Sequence, residues 1–198
     1  MGRKIPEVLT RTEREALLAQ PNPRYLTGQR NRVMLRLMLD TGLRLSEAIN
    51  LRWKDIDLNA CQVMVRQGKG AKDRTLWTGP DNIEALTAWR ERQKRECSGD
   101  PDVVFSTKDG ETLDPSYVRK MVKRYAKRAG IVKTISPHTL RHTFASDLLR
   151  HNPNIRIVQK ALGHANLATT QIYTHIVDEE LEGALKSFRQ AAPVGATA

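Results

Sequence analysis

The chain has 198 residues, enough for one well-buried core and too few for two full-sized domains, and its 33 Lys and Arg against 22 Asp and Glu leave a formal charge of +11 that suits a polyanionic partner. Its two cysteines, Cys61 and Cys97, lie far apart with no CxxC or Cys/His spacing, which argues against a zinc site or a disulfide framework and for a reducing compartment. No apolar run approaches the roughly 18 residues of a membrane span, and the start MGRKIPEVLT lacks the apolar core of a signal peptide, so a cytoplasmic protein is expected.

Taken in chain order, Thr12 and Glu15 have the spacing of a capping box and, with Ala16, Leu17 and Leu18 behind them, predict a short helix after an extended basic start. Residues 20–28, with Pro21 and Pro23, read as a loop. Over 30–41 the apolar Val33, Met34, Leu35, Leu37, Met38 and Leu39 nearly surround a helical cylinder, which predicts a central buried helix stopped by Gly42. In LRLSEAINLRWKDIDL, Ser46 is placed to cap a short helix carrying Ala48, Ile49 and Leu51. Val63 and Val65 alternate with polar neighbours and residues 75–77 form a second extended run, so the intervening QGKGAKDR reads as the turn of a hairpin longer than the two-residue kind.

Pro80 opens a helix through Glu96, SGDPD is a loop, and residues 103–105 read as a short strand. Val118, Met121, Val122, Tyr125 and Ala129 recur at i, i+3, i+4, i+7 and i+11, the pattern of an amphipathic helix. Further helices are predicted over 139–150, 155–162, 168–175 and 178–190, followed by a disordered tail, AAPVGATA, over 191–198. From Pro115 to Ser146 there is no acidic residue, while Arg119, Lys120, Lys123, Arg124, Lys127 and Arg128 accumulate, with Lys133 and Arg141 beyond them. A face of one sign suits a phosphate backbone. The run Arg90, Glu91, Arg92, Lys94, Arg95 and Glu96 interleaves signs and reads as a solvated face. Trp53, Trp77 and Trp89 read as packing residues, since none is spaced as a base-stacking platform.

Four motifs carry chemistry: TGLRLSE with Arg44, the GKG turn with Lys69, HTLRH with His138 and Arg141, and LGHANLATTQIY with His164 and Tyr173. In this order and over about 10–188 they resemble the phage integrase or tyrosine recombinase family, whose catalytic set is an Arg, a hairpin Lys, a His-x-x-Arg pair, a second His or Trp, and a Tyr. The chemistry needs those residue types. Attack on a phosphodiester concentrates negative charge on the non-bridging oxygens, and Arg44 and Arg141 present permanently charged planar forks to such oxygens, with His164 as a third donor.

A tyrosine hydroxyl leaves a reversible phosphate ester, and with an ordinary pKa near 10 it requires a base or a positive field. His138, one helical turn from Arg141, is the candidate base. The resemblance makes Lys69 the general acid for the departing 5′ oxygen, in preference to Lys72 in the same turn, because the family's catalytic lysine is the first of such turns. Glu47 is expected to orient a neighbouring catalytic side chain, and His142 reads as a buried structural histidine. His138 and His142 mimic a zinc helix at i and i+4, but Thr139 stands where that motif places its Glu, so no metal is expected.

The resemblance implies an α+β, mainly helical fold with a small antiparallel sheet on one side, a catalytic domain over 10–190 and a basic extension over 1–9. The helical DNA-clamping domain that most members carry before it is read as absent, which suits either an excised catalytic fragment or a short recombinase. It further implies integrase- or invertase-type strand exchange through a 3′-phosphotyrosyl intermediate without a cofactor. The implied partners are double-stranded DNA, a homotetramer in the synapse from a monomer when free, and accessory DNA-bending proteins, with no membrane. Relaxation of the type IB topoisomerase kind and a non-catalytic DNA-binding regulator are the alternatives. Ile176, Val177, Leu181, Ala184, Leu185 and Phe188 give the segment after Tyr173 one apolar side, which fits docking on its own core or on a neighbouring subunit.

Overall fold

Leu17, Met34, Leu35, Leu37 and Met38 are fully buried in a computed structural model that describes residues 6–66, 73–163, Tyr173 and Ile176. The last four lie on α2 (Leu26–Thr41), the central helix, which packs against α4 (Pro80–Glu96) and α6 (Pro137–His151). It begins one turn earlier than its apolar pattern shows because polar residues at its start are buried too. Arg30 donates to the Ser106 carbonyl at 2.8 Å and to the Tyr117 hydroxyl at 2.7 Å, and Asn31 donates to the Tyr125 hydroxyl at 3.2 Å. Gly42 ends α2 in the left-handed region (φ 65°), and a Cβ there would lie 2.3 Å from the Phe144 ring.

The first helix, α1 (Arg11–Leu18), is capped by Thr10 and Glu13, not by Thr12 and Glu15. Glu13 accepts from the Thr10 amide at 2.7 Å and Thr10 accepts from the Glu13 amide at 3.2 Å. Leu9 sets this start: its side chain is in the core and its amide donates to the Thr143 hydroxyl at 2.9 Å, fixing the chain just before the helix. The short helix α3 (Leu45–Ile49) likewise begins at Arg44, ahead of the expected Ser46, because Glu47 reaches back to accept the Arg44 amide at 2.7 Å.

A 3-10 turn at Trp53–Asp55 leads into β1 (Ile56–Asp57), which the sequence pattern did not reveal, then β2 (Gln62–Val65) and β3 (Arg74–Trp77). The sheet is antiparallel in the order β1-β2-β3, with Val63 opposite Leu76 and Val65 opposite Arg74. Alternation turns Val63, Val65 and Leu76 inward and leaves Met64 and Trp77 exposed. The expected strand over 103–105 is a single bridge between Val103 and Arg52. Side chains replace a second strand there: Trp89 donates to the Val104 carbonyl at 2.6 Å and Gln93 to the Val103 carbonyl at 3.0 Å.

Helix α5 (Pro115–Arg128) is capped by Asp114 and buries Val118, Met121, Val122, Tyr125 and Ala126, while Arg119, Lys120, Lys123, Arg124, Lys127 and Arg128 are exposed. Helix α7 (Ile155–Leu162) ends at Gly163 in the left-handed region. Its buried Val158 and Leu162 join Ala145 and Leu149 of α6, Tyr173 and Ile176 in a second apolar cluster beside the main core. The expected helix over 178–190 lies outside the described residues, as does all of 168–175 except Tyr173. No described helix is long and apolar enough to cross a membrane. The fold is thus mainly helical with a small antiparallel sheet.

Candidate active site

Arg44 stands at the mouth of α3 because Gly42 turns the chain sharply out of α2, and Arg141 stands on the buried side of α6. These side chains, nearly a hundred residues apart in sequence, converge on one carboxylate. Glu47 accepts from Arg44 Nη1 at 2.8 Å and lies 3.9 Å from Arg141 Nη1. It also accepts two hydrogen bonds from Arg74, at 2.9 and 2.8 Å. Burial pushes the Glu47 carboxyl up, but the bonds from Arg74 and from the Arg44 amide outweigh it and bring the group down to about 2. Glu47 therefore stays ionised throughout the neutral range and does what the sequence assigns it, holding a neighbouring candidate residue.

Arg141 is 6% exposed and donates to the Gly42 carbonyl and the Leu162 carbonyl, both at 2.7 Å. Burial, then the positive charges of Arg44 and Arg74, bring its guanidinium down to about 10, with Glu47 opposing, so it remains cationic at neutral pH. Arg44 is partly exposed and donates to the Gly163 carbonyl at 3.3 Å. Two positive groups are thus held together by a buried carboxylate, and the more exposed of them faces outward, where an anion is able to approach.

Tyr173 is 1% exposed, and its hydroxyl lies 2.6 Å from Nδ1 of His142. Burial pushes the phenol up to about 12, while the charge of Arg141 pulls it back. Burial likewise lowers His142, helped by His138 and Arg141, so the neutral ring is favoured and its Nδ1 is placed to share a hydrogen bond with the phenol. The imidazole at the phenol is therefore His142, which the sequence reading set aside as structural. His138, the expected base, is exposed one turn away on the same side of α6. At i and i+4 the two histidines share one helix face, so spacing alone gives no means of choosing between them.

Lys69, Lys72 and His164 lie outside the described residues. Among the described ones, Arg44, His138, Arg141 and Tyr173 are brought together, and Glu47, Arg74 and His142 join them. Arg74 ends the segment QGKGAKDR, which reads as a turn in the sequence. One signal was available: carrying the alternation of β3 back from Leu76 puts residue 74 on the core face, where an arginine demands a buried partner.

Comparison with known proteins gives the family and the fold. The phage integrase family model matches residues 7–180. A tyrosine recombinase XerD of Ralstonia nicotianae is 39% identical over 180 residues, 90% of this chain and 58% of that protein. The structure of XerA recombinase superposes with a TM-score of 0.81 at 34% identity, covering 95% of this chain and 67% of that one. A post-cleavage complex of the XerH site-specific recombinase with its palindromic difH substrate gives a TM-score of 0.79 at 32% identity, covering 94% and 54%. The chain thus spans about three fifths of the length of the XerD relative.

Proposed function

Because this chain belongs to the phage integrase family, we propose that residues 10–190 form the catalytic domain of a site-specific DNA recombinase that cuts and rejoins strands through Tyr173. The observation that carries the proposal is the convergence of Arg44 and Arg141 on Glu47, with the Tyr173 phenol 2.6 Å from His142, the residue after Arg141 on α6. In this reading the two guanidinium groups and His164 hold the non-bridging oxygens of the scissile phosphate. The phenol oxygen bonds to phosphorus, its proton passes to His142, with His138 adding to the local field, and the bond to the 5′ oxygen breaks. Lys69 supplies the proton that the leaving oxygen takes. The phosphodiester energy is kept in the tyrosyl ester, so a 5′ hydroxyl from a second duplex reverses the steps without a cofactor.

The partner in this reading is double-stranded DNA, which the XerH recombinase bound to its palindromic difH substrate supports. The exposed basic face of α5, with Lys72, supplies phosphate contacts, and exchange between two duplexes calls for a synapse of four protomers assembled from free monomers, with accessory DNA-bending proteins where the duplex must be curved. A cytoplasmic site follows from the substrate. The test uses a pool of nicked duplexes carrying random sequence, mixed with the protein and denatured. A band retarded by the mass of the protein, absent for Tyr173→Phe, supports strand cleavage, and sequencing its DNA gives the target. DNA that is bound without any adduct overturns the enzymatic reading in favour of a regulator.

A further inference from the structure

Three consecutive carbonyls at the end of α7 each accept from a different guanidinium. Ala161 accepts from Arg74 Nε at 2.8 Å, Leu162 from Arg141 at 2.7 Å and Gly163 from Arg44 at 3.3 Å. The same three side chains meet at Glu47, where Arg74 makes a two-pronged contact. Arg74 opens β3 on the inward face opposite Val65, a position that alternation would fill with an apolar residue. All three nitrogens of its guanidinium donate to protein oxygens, and its side chain is 6% exposed. Its guanidinium is thus engaged by the protein on every nitrogen, whereas Arg44, with its side chain 35% exposed, keeps an open side.

We propose that Arg74 is a positioning residue for strand transfer, holding Glu47, and through it Arg44 and Arg141, in register with the end of α7, from which the chain passes into His164. Among the described residues, Arg74 ties three pieces together: β3, the Glu47 carboxylate and the terminus of α7. A buried ion pair is a poor device for stability, since taking the charges out of water offsets most of their attraction. Its use here is geometric, because a planar fork admits one orientation of the carboxylate it grips. Lysine keeps the charge but reaches one oxygen at a time. The role rests on the strand-transfer reading above.

The experiment takes the duplex recovered by adduct sequencing and compares the parent with Arg74→Lys and Arg74→Gln. Melting temperature establishes folding, the dissociation constant reports binding, and the single-turnover rate of Tyr173 adduct formation at saturating protein reports chemistry. The expected result is a dissociation constant within about threefold of the parent, with the rate down roughly 100-fold for Arg74→Gln and roughly tenfold for Arg74→Lys, the scale of a misplaced catalytic group. On the same duplex with a neutral methylphosphonate at the scissile position, the deficit shrinks severalfold, because the misplaced guanidinium groups then have less charge to stabilise. Should Arg74→Gln not fold, Arg74→Lys decides. A rate for Arg74→Lys within threefold of the parent, or an equal deficit on both substrates, overturns the role of Arg74. A parent that forms no adduct on any duplex fails the strand-transfer reading itself, which is a different result.

Discussion

Around Glu47, three guanidinium groups and a backbone amide are fixed by short charged hydrogen bonds to the carboxylate and to the end of α7. Around Tyr173, by contrast, the ring is held by the aliphatic side chains of Ala145, Leu149, Val158, Leu162 and Ile176 and by a hydrogen bond to His142. The first region is held by charged hydrogen bonds in the free protein, whereas the second keeps the Tyr173 phenol protonated and buried. Charge-assisted bonds in a buried setting resist rearrangement, while apolar contacts lack direction and yield more readily. Under the strand-transfer proposal, binding and chemistry would thereby be separated, with the anion cradle formed in advance and the phenol moving out of its cluster to reach phosphorus.

The largest effect that sharpens this contrast is Tyr173→Phe. It should abolish the covalent adduct while leaving DNA affinity within about threefold, because the ring keeps its packing and the cradle is untouched. Adduct gels beside binding isotherms check both parts. Next in size, Arg141→Lys should slow adduct formation by roughly 100- to 1,000-fold. It should also lower the melting temperature, because the Gly42 and Leu162 carbonyls lose their donor. Arg44→Lys should give a similar loss of rate with a much smaller loss of stability, since Arg44 is more exposed. Equal melting temperatures for the two variants would break the picture of a cradle buried at one end and open at the other.

His142→Gln against His138→Gln asks which imidazole serves the phenol. Loss of a general base costs about 100-fold or more, so His142→Gln should fall at least that far and His138→Gln several-fold at most. A reversal would return the role of base to His138 and make the contact of His142 a resting one. Acid works in the same direction. His142 is lowered, so its neutral form is favoured in the folded state, and the stability this gives is complete above the ordinary 6.5 and lost as pH falls through the lower folded value. Tyr173 behaves oppositely. Its phenol is raised from 10 to about 12, a contribution on the order of 3 kcal/mol that is present below pH 10 and lost as pH rises towards 12. Denaturant titrations at pH 9 and pH 11.5 should show this loss in the parent and not in Tyr173→Phe.

The elements legible in the sequence were those whose signals are local and periodic. Helix α4 begins at Pro80 and ends at Glu96 as expected, α7 covers 155–162, and Gly42 stops α2 where a left-handed turn is needed. What escaped was decided by distant partners. Leu9 moved the start of α1 by burying itself and bonding to Thr143, and Trp89 and Gln93 took the carbonyls that a strand at 103–105 would have offered to a neighbour. The site divides in the same way. Arg44, Arg141 and Tyr173 could be named because each sits in a short motif with a chemical reason. Arg74 and the role of His142 depend on which surfaces of β3, α6 and the segment holding Tyr173 meet, and no run of neighbouring residues encodes that.

The smallest expected effect concerns α5, whose basic side chains are exposed and lie outside the buried ion-pair network at Glu47. A lysine that meets a phosphate releases about 0.9 counterion per contact, so its loss should weaken binding about fivefold at 0.15 M salt and reduce the slope of log affinity against log salt by about one. Lys123→Gln should do this equally on the target duplex and on unrelated DNA, with the single-turnover rate at saturating protein unchanged, because no part of the cradle moves. Lys133 is the internal control, since its ammonium is already engaged by Glu13 at 2.7 Å and by the Val8 carbonyl at 3.0 Å. Lys133→Gln should lower stability and leave the salt slope as it was. If the two variants exchanged these behaviours, the DNA face would have to be moved from the exposed side of α5 to the junction of α1 with residues 129–136.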